Sequence, residues 1–244
     1  MLSVIVSVKN QLQYTRKLVH DLFITTHNDF NLIVINNGSS DGTGKFLDGL
    51  AKEFDNVTVI NEDKPNNIAH LWNLGLNKVK DGYIVICNND ILLPVNWDVK
   101  MIKCFEHYRD CGICVPVSNY ASKAQKPVSE HKLCADTFDT VVEELENKGK
   151  WVDLRNTASG FFMLFKKELI DDIGLFYEKF DIGMYEDNVF FRRTLKKNYK
   201  VIMDGKTYIY HYGSQTFRSE KISSSRLFKE NRVKFNKMCQ DGEC

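Results

Sequence analysis

Long apolar runs, a charge excess and an obvious secretion signal are all missing from this 244-residue sequence. No apolar run approaches the roughly 20 residues that a membrane-spanning helix needs. The formal net charge of +1 gives no overall attraction to nucleic acid or to an acidic surface. Residues 2–8 are apolar but follow no basic segment, so they indicate a strand rather than a signal peptide.

A cysteine pattern typical of disulfide frameworks or zinc sites is missing too. The seven cysteines are an odd number, and most lie inside apolar runs. This favours free thiols in a reducing compartment, and we therefore expect a cytoplasmic protein. Cys111 and Cys114 have CxxC spacing without a second Cys or His pair, so we interpret them as core thiols.

The sequence does have a regular alternation of strands and helices as far as residue 117. The predicted strands are 2–8, 30–35, 57–60, 83–87 and 111–117, and the predicted helices are 11–26, 43–54, 66–79 and 98–109. This order predicts an α/β fold with a mostly parallel central sheet flanked by helices. The loops after the first, second and fourth strands should then meet at one edge of the sheet.

The regular alternation of strands and helices ends after residue 117. Residues 118–137 are polar and irregular, which is typical of a lid or binding loop. The elements predicted beyond them are helix 138–148, strand 159–165, helices 166–173 and 185–197, and strands 199–203 and 207–211. Because no repeat, low-complexity tract or linker interrupts the chain, we interpret residues 1–244 as a single domain.

Candidate chemistry begins where the predicted strand 83–87 ends. Asn88, Asn89 and Asp90 follow it, and ligands in open α/β sheets bind just beyond such strand ends. Asp90 could hold a divalent cation whose other positions go to phosphate. The alternative is an ordinary Asn-Asp turn.

Three further places have both a functional and a structural interpretation. Glu186 and Asp187 begin a predicted helix, where one carboxylate could accept a proton or both could simply complement the helix dipole. His211 could complete a metal site or serve only the fold. The segment 36–42 could contact a base and phosphates through amides and backbone donors, or form only a Gly- and Ser-rich turn.

Taken in order, these pieces resemble a known family. The matching segments are Val4 to Asn10, Val34 to Thr43, Asn73 to Leu76, Ile86 to Pro94 with Trp97, Gly160 to Leu164, Ile173 to Phe176, Tyr185 to Asp187 with Arg192, and His211 with Gly213 and Ser214. In this order and spacing the sequence resembles the family 2 glycosyltransferases, and within them the rhamnosyltransferase-like branch. The resemblance implies a single GT-A domain, a Rossmann-like nucleotide-binding fold. Its parts would be a nucleotide-sugar half (1–117), an acceptor and catalytic half (118–217), and a basic C-terminal helix and tail (218–244).

The resemblance also implies residue roles. Asp90 and His211 would bind Mn²⁺ or Mg²⁺ at the donor diphosphate. Asp187 would be the general base of an inverting transfer, and Glu186 would orient Asp187 or the acceptor. The residues implied at the nucleotide-sugar are Val8, Asn10, Asn36, Asn37, Asp41, Asn73, Asn88 and Asn89. The implied reaction moves one sugar from a UDP- or dTDP-type donor to an acceptor hydroxyl in glycan or polysaccharide synthesis.

The sequence departs from the family at the base contact and in the metal segment, among other positions. Asn36 and Asn37 are amides where members usually carry an aspartate that meets the base. The metal segment contains one carboxylate instead of two. Two other functions therefore stay open: a carbohydrate-binding relic without catalysis, and a sugar-phosphate nucleotidylyltransferase. The latter would want a Gly-rich, Arg-containing loop after the first strand, where this chain has Ser7 to Asn10.

The sequence also leaves undecided which acceptor is used and whether residues 218–237 contact a membrane. A glycan, a lipid-linked glycan or another hydroxyl compound would serve as acceptor, and the neutral net charge disfavours a nucleic acid without excluding it. Residues 218–237 carry many basic side chains near helical spacing. They would suit either peripheral contact with an anionic membrane or the solvated face of a helix packed on the domain.

Overall fold

The computed structural model describes residues 1–213 and 215–241. Ser214, which is part of the resemblance around His211, and residues 242–244, which end the predicted C-terminal tail, lie outside the described residues. The strands are β1 (Leu2–Val8), β2 (Phe30–Asn37), β3 (Val57–Glu62), β4 (Tyr83–Cys87), β5 (Ile91–Leu92), β6 (Cys111–Val117), β7 (Trp151–Asp153), β8 (Phe162–Lys166), β9 (Lys200–Tyr208) and β10 (Tyr210–His211).

Helices connect most of these strands. They are α1 (Leu12–Thr25), α2 (Thr43–Glu53), α3 (Ile68–Leu76), α4 (Trp97–His107), α5 (Phe138–Lys148), α6 (Lys167–Ile173), α7 (Glu186–Lys196), α8 (Gln215–Ser219) and α9 (Ser224–Gln240). Helix α1 shows why the sequence folds this way: its buried side chains include Leu18, Val19 and Leu22, which recur at helical spacing and face the sheet. The alternation predicted as far as residue 117 is confirmed.

Eight strands form one sheet in the order β3-β2-β1-β4-β8-β6-β9-β7. The pairs among β1 to β4 are parallel, as is β6 with β9, whereas β8 runs antiparallel between β4 and β6, and β7 runs antiparallel along β9. The sheet is therefore mostly parallel, as the sequence predicts. A separate two-stranded ribbon pairs β10 with β5.

Apolar side chains fill both faces of this sheet. In β1, Val4, Val6 and Val8 belong to one buried cluster and Ile5 to the other, because successive side chains of a strand point to opposite faces. Helices α1, α2 and α4 contribute to the first cluster, and α3, α6 and α7 to the second. This two-sided burial explains why the central strands are continuous apolar runs.

The structure corrects the prediction around β9. The sequence indicates two strands, 199–203 and 207–211, whereas β9 runs unbroken from Lys200 to Tyr208. The polar residue Asp204 is buried there, and its carboxylate accepts hydrogen bonds from Lys206 N (3.0 Å) and Thr207 Oγ1 (2.6 Å). Because those bonds satisfy the carboxylate, the strand continues through a segment that is too polar to be recognised as one.

The cysteines follow the prediction only in part. Cys87, Cys104, Cys111, Cys114 and Cys134 are free thiols, and the first four are buried. The interpretation of Cys111 and Cys114 as core thiols therefore fits their position in β6. Cys239 is disulfide-bonded, which differs from the expectation of free thiols throughout. Within residues 1–213 and 215–241 we find no helix that combines the length and apolarity needed to cross a membrane.

Candidate active site

A cavity of about 290 Å³ opens at the edge of the sheet where β1, β2 and β4 end. The loops after these strands do meet there, as predicted: Asn10 N donates to Ser39 Oγ at 2.8 Å, and residues 88–90 line the same cavity. Its lining includes Val8, Lys9, Asn37, Asn88, Asn89, Asp90, Glu186, Asp187 and His211. The cavity thus collects side chains from both halves of the chain.

Asp90 and His211 form a buried polar pair in this cavity. The carboxylate Oδ1 of Asp90 lies 3.1 Å from His211 Nε2, and each residue is 5% exposed. The pairing of β10 with β5 brings them together, since His211 pairs directly with Ile91, the residue after Asp90. The small ribbon therefore brings together two residues that lie 121 positions apart in the sequence.

The hydrogen bonds of His211 define which ring nitrogen faces Asp90. Nδ1 lies 2.9 Å from the backbone oxygen of Tyr120, which can only accept, so Nδ1 carries a proton. In neutral histidine Nε2 then has no proton, and Asn88 Nδ2, at 3.3 Å, can donate to it. A carboxylate oxygen and an imidazole lone pair at 3.1 Å repel each other unless a proton or a cation lies between them. The pair therefore has the donor set of a cation site.

Phe161 and Asn119 fix the orientation of His211. The ring of Phe161 stacks on the imidazole at 4.8 Å with an interplanar angle of 12°. Asn119 holds the histidine backbone at both ends, accepting from His211 N at 2.8 Å and donating to His211 O at 3.0 Å. Sequence reasoning gave neither residue a role at the site, although Phe161 belongs to the matching segment Gly160 to Leu164. Asn119 lies in the irregular segment 118–137, whose only signal was its length and polarity.

Glu186 and Asp187 begin α7, and both residues line the same cavity. Asp187 Oδ2 accepts from Gly160 N at 2.8 Å, and its Oδ1 accepts from Asn188 N at 2.8 Å and Asn188 Nδ2 at 3.0 Å. Glu186 is 6% exposed, and its Oε2 has no hydrogen-bond partner among the described residues. Asp187 is therefore held in a fixed orientation, whereas Glu186 keeps an unsatisfied oxygen.

Burial governs the electrostatics of these two carboxyl groups. It raises the pKa of Glu186 well above its ordinary value, and the adjacent charge of Asp187 raises it further. Burial also raises the pKa of Asp187, although the hydrogen bonds from Gly160 and Asn188 lower it in part. A raised pKa makes a carboxylate a stronger proton acceptor, so both groups are candidates for proton transfer in the cavity.

Two of the residues expected at the nucleotide are engaged in holding loops. Asn37 lines the cavity, and its side chain accepts from Asn66 N at 2.8 Å and donates to Asn66 O at 3.1 Å. Asn36 does not line the cavity; it donates to Asn61 Oδ1 at 2.9 Å and accepts from Ser39 N at 3.2 Å. These amides shape the loops after β2 and β3.

Asn10 and Asp41 lie outside the cavity lining as well. Asn10 Oδ1 accepts from Ser40 N at 2.7 Å, and Asn10 Nδ2 donates to Glu220 Oε1 at 2.7 Å. Asp41 accepts from Leu12 N at 3.0 Å and from Thr43 N at 3.1 Å, so it satisfies the first backbone N–H of both α1 and α2. The structure thus places both residues at the junction of the loops that border the cavity.

The side chains of Asn73 and Asn89 are hydrogen-bonded to neighbouring elements of the fold rather than to the polar pair in the cavity. Asn73 does not line the cavity; it accepts from Phe176 N and donates to Phe176 O, each at 2.9 Å, which ties α3 to the loop after α6. Asn89 lines the cavity but donates to Thr15 Oγ1 of α1 at 3.0 Å. Asn88, which faces His211, is the amide of this set whose side chain meets the polar pair.

The C-terminal segment completes the cavity in a way that the sequence does not indicate. Gln215, Thr216, Phe217 and Ile222 all line it. Gln215 N approaches Asp90 Oδ2 at 3.4 Å, and Glu220 reaches both Asn10 and Lys9, whose Nζ lies 3.9 Å from Glu220 Oε2. Residues 215–222 therefore cross from the Asp90–His211 pair to the loop after β1.

Comparison with known proteins agrees with this geometry. The family model described as glycosyl transferase family 2 matches residues 3–174. The chain belongs to glycosyl transferase family 2. A curated relative, the glycosyltransferase GlyG of Streptococcus pneumoniae serotype 4, is 23% identical over 185 residues. That match covers 71% of this chain and 59% of GlyG, so the chain spans less than two thirds of the length of this relative.

Solved structures of glycosyltransferases share the fold of this family 2 chain. GalNAc-T7 with UDP, GalNAc and Mn²⁺ has a TM-score of 0.68 at 14% identity and covers 86% of this chain and 43% of its own. The mannosyltransferase PcManGT of Pyrobaculum calidifontis, in complex with GDP-Man and Mn²⁺, has a TM-score of 0.67 at 16% identity and covers 96% and 64%. The GT-A fold expected from the sequence is thereby confirmed.

Proposed function

We propose that this chain transfers one sugar from a nucleotide-sugar to an acceptor hydroxyl, with inversion at the anomeric carbon. The observation that carries the proposal is the single cavity shared by the Asp90–His211 pair and the Glu186–Asp187 pair. Family membership, the complex of GalNAc-T7 with UDP, GalNAc and Mn²⁺, and the complex of PcManGT with GDP-Man support the same reaction class. The narrower rhamnosyltransferase-like assignment stays a prediction, as does a UDP- or dTDP-type donor.

Asp90 and His211 fit a divalent cation. The carboxylate oxygen and the imidazole lone pair converge, and the other ring nitrogen is fixed by the oxygen of Tyr120, as is common for metal-binding histidines. No group of three or more His, Cys, Asp or Glu side chains suited to a metal occurs in the described part of the chain. Mg²⁺ and similar ions often bind through one or two protein ligands plus substrate phosphates. Bound there, Mn²⁺ or Mg²⁺ would neutralise the charge that develops on the departing diphosphate.

Asp187 is the general base of the proposed reaction. Its two oxygens are oriented by three hydrogen bonds from Gly160 and Asn188, so the carboxylate is held still while one lone pair receives the proton of the acceptor hydroxyl. Its raised pKa makes it a better proton acceptor than an ordinary aspartate. Attack by the hydroxyl on the side of the anomeric carbon away from the departing diphosphate would invert that centre.

The nucleotide would lie along the loops after β1 and β2. Val8 and Asn37 line the cavity on that side, and Asn10, Asn36 and Asp41 hold the two loops in position. Within the proposed division of the chain, residues 1–117 supply this nucleotide side and residues 118–217 supply the base and His211. Residues 215–222 cover the cavity between them.

The C-terminal helix α9 is the proposed contact with an anionic membrane, where a lipid-linked acceptor would be met. Residues 218–237 carry seven basic and two acidic side chains, a net charge of +5 within a chain of net charge +1. Phe235 and Met238 pack on the cluster that contains Tyr185, directly before Glu186. Binding of the outer face of α9 would therefore bring the catalytic wall to the membrane surface.

Vesicle co-sedimentation tests that contact. Exposed Lys229 and Lys237 lie on the outer face of α9, and Lys78 and Lys80 are exposed beside α3. Lys229→Glu and Lys237→Glu should each weaken binding to vesicles containing anionic lipid at least about fivefold, since the lost basic side chain alone contributes about 1 kcal/mol and the added carboxylate repels the surface. Lys78→Glu and Lys80→Glu serve as controls and should change it little. Equal binding of all variants would contradict the proposed contact.

Hydrolysis of nucleotide-sugars tests the catalytic proposal. Incubation with UDP-, dTDP- and GDP-sugars should release nucleoside diphosphate slowly in a reaction that requires Mn²⁺ or Mg²⁺. Asp187→Asn should abolish transfer while leaving donor affinity within about twofold, because the base contacts the nucleophile rather than the nucleotide. Tight donor binding without turnover by the unmodified chain would instead indicate a carbohydrate-binding relic.

A further inference from the structure

The turn that leads into Glu186 and Asp187 has a strained backbone. Met184 and Tyr185 are consecutive residues other than glycine, with φ angles of 76° and 78°. L side chains rarely adopt such angles, and they persist only where surrounding contacts hold them. Tyr185 is the N-cap of α7, and its carbonyl oxygen accepts from Val189 N at 3.0 Å. The direction in which α7 begins therefore depends on what holds this turn.

A buried amide of the C-terminal helix binds the backbone of the turn. Asn231 of α9 is 0% exposed, and its Nδ2 donates to Gly183 O at 2.7 Å and to Met184 O at 3.3 Å. Backbone carbonyl oxygens only accept, so the group that faces them is the NH₂ end of the amide. The two carbonyls belong to the peptide units on either side of Met184. Asn231 thus restrains the relative orientation of both units, which is what the φ and ψ angles of Met184 describe.

Packing alone does not explain an asparagine at this position. The Oδ1 of Asn231 is buried and has no hydrogen-bond partner in the described part of the chain. A buried acceptor without a partner has lost its bonds to water, so an apolar side chain would pack there at a lower cost. The other buried side chains on this face of α9, Leu227, Phe235 and Met238, are apolar. The bonds to the two carbonyls are therefore what the amide adds.

Further contacts press α9 against the same turn. The ring of Tyr185 lies 5.1 Å from that of Phe228 and 4.9 Å from that of Phe235. Lys234 Nζ lies 2.6 Å from Asp181 Oδ2 at the exposed side of the contact. Ring contacts and an exposed ion pair hold two segments together without fixing the orientation of a peptide plane. The hydrogen bonds of Asn231 supply that restraint.

We propose that Asn231 is a positioning residue for the base: it holds the strained turn from which α7 begins, and so determines where Asp187 lies. This inference rests on the proposed function, in which Asp187 is the base. Without the two bonds, Met184 can return to a negative φ, and the start of α7 turns with it. The β5–β10 ribbon and the loops after β1 and β2 do not follow the turn in the chain. Loss of Asn231 should therefore slow the chemical step while leaving donor binding in place.

Asn231→Leu tests this role, since it removes both bonds and keeps a side chain of similar size. With the nucleotide-sugar that the unmodified chain hydrolyses fastest, kcat for nucleoside diphosphate release at saturating Mn²⁺ should fall about 10- to 100-fold, because a displacement of about 1 Å can cost about 10²-fold. Donor affinity in calorimetry should stay within about twofold. Met238→Ala is the control for loosened packing of α9; Met238 is buried on the same face, and kcat should stay within about threefold.

A second measurement follows the position of Asp187 without catalysis. Gly160 N donates to Asp187 Oδ2 at 2.8 Å, so hydrogen exchange of the Gly160 amide reports whether the carboxylate has moved. This exchange should be faster in Asn231→Leu than in the unmodified chain and unchanged in Met238→Ala. Should Asn231→Leu not fold, Asn231→Ala removes the same amide without adding bulk.

Glycine at the strained position should compensate for the lost amide, because glycine adopts a positive φ without steric cost. In the Asn231→Leu background, Met184→Gly should restore kcat at least about threefold relative to Met184→Gly alone. Arg155→Gly is the matched control: Arg155 also has a positive φ, 49°, but it is exposed and does not line the cavity. It should restore nothing. Rescue by both glycines or by neither would contradict a role through the turn.

The outcomes separate this inference from the proposed function. If Asn231→Leu retains kcat, or lowers it no more than Met238→Ala does, the positioning role is wrong while the transferase proposal stands. If the unmodified chain releases nucleoside diphosphate from none of the UDP-, dTDP- and GDP-sugars, the proposed function is wrong. Hydrogen exchange at Gly160 still decides whether Asn231 holds the turn, and unchanged exchange in Asn231→Leu would overturn that as well.

Discussion

Gly160→Ala should displace the proposed base, Asp187, without changing the identity of that residue. Gly160 N donates to Asp187 Oδ2 at 2.8 Å, and a Cβ at position 160 would lie 2.5 Å from Asp187 Cβ and 3.0 Å from Oδ2. Because carbon atoms pack at about 3.5–4.0 Å, Asp187 would have to move by about 1 Å. A displacement of this size in a reacting group can cost about 10²-fold in rate.

The assay measures nucleoside diphosphate release at saturating donor and Mn²⁺, together with donor affinity and the melting temperature. We expect kcat to fall about 100-fold, donor affinity to change by less than about twofold, and stability to fall by about 1–3 kcal/mol through overpacking. Gly160 does not have the positive φ that favours glycine, so the backbone itself accepts alanine there. The loss would therefore come from the clash with Asp187.

Gly49→Ala is the matched control. Gly49 lies in α2, and a Cβ there would meet nothing within 4 Å. This variant should keep full activity and gain about 0.5–1 kcal/mol of stability, because alanine favours a helix over glycine. A folded Gly160→Ala variant that retained kcat within about threefold would refute the assignment of Asp187 as base.

Three other predictions concern the remaining polar groups of the cavity. Asp90→Ala should abolish metal-dependent turnover, whereas Asn88→Ala should retain most of it; a kinetic titration with Mn²⁺ checks this, and equal losses would contradict the view that Asp90 carries the cation. Glu220→Gln should raise the affinity for UDP about two- to fivefold in calorimetry, because it releases Lys9 from a partly exposed ion pair and removes a negative charge beside the nucleotide loops; weaker binding would count against that position for the diphosphate. Glu186→Gln should raise the melting temperature by about 2–4 °C at pH 8, the shift expected for about 1 kcal/mol. The folded-state pKa of Glu186 is raised, so the folded protein binds the proton more readily and the wild-type free energy of unfolding falls as the pH rises through that pKa. The gain should therefore shrink at pH 5, and melting curves that show the same gain at both pH values would contradict an unsatisfied charged carboxylate.

Much of the nucleotide side could be predicted from the sequence because its signals are local. Each strand from β1 to β4 is a short apolar run, and the polar residues that follow it must lie at one edge of a parallel sheet. Asn88, Asn89 and Asp90 are placed at that edge by strand direction alone. The resemblance then named His211 and Asp187 by their position in a family pattern, without showing what they touch.

Other roles depend on contacts between distant segments. Asn36, Asp41 and Asn73 fit the family pattern, yet their side chains hold loops and helix starts outside the cavity lining. A family pattern does not distinguish a residue that contacts the ligand from a residue that supports the loop around the ligand. Only the hydrogen bonds of the folded chain separate the two.

By itself, the sequence determined the α/β fold, the family and the strand ends where polar residues gather, because strand periodicity and parallel connections follow from local pattern. The tertiary structure alone decided that His211 Nε2 lies against Asp90, that Gly160 orients Asp187, and that Trp72 Nε1 and Glu186 Oε2 have no hydrogen-bond partner among the described residues. These facts depend on the antiparallel β8, on the β5–β10 ribbon and on the packing of α3 against Phe176. No local pattern encodes such pairings, since each joins segments whose separation in the sequence is closed only when the whole sheet forms.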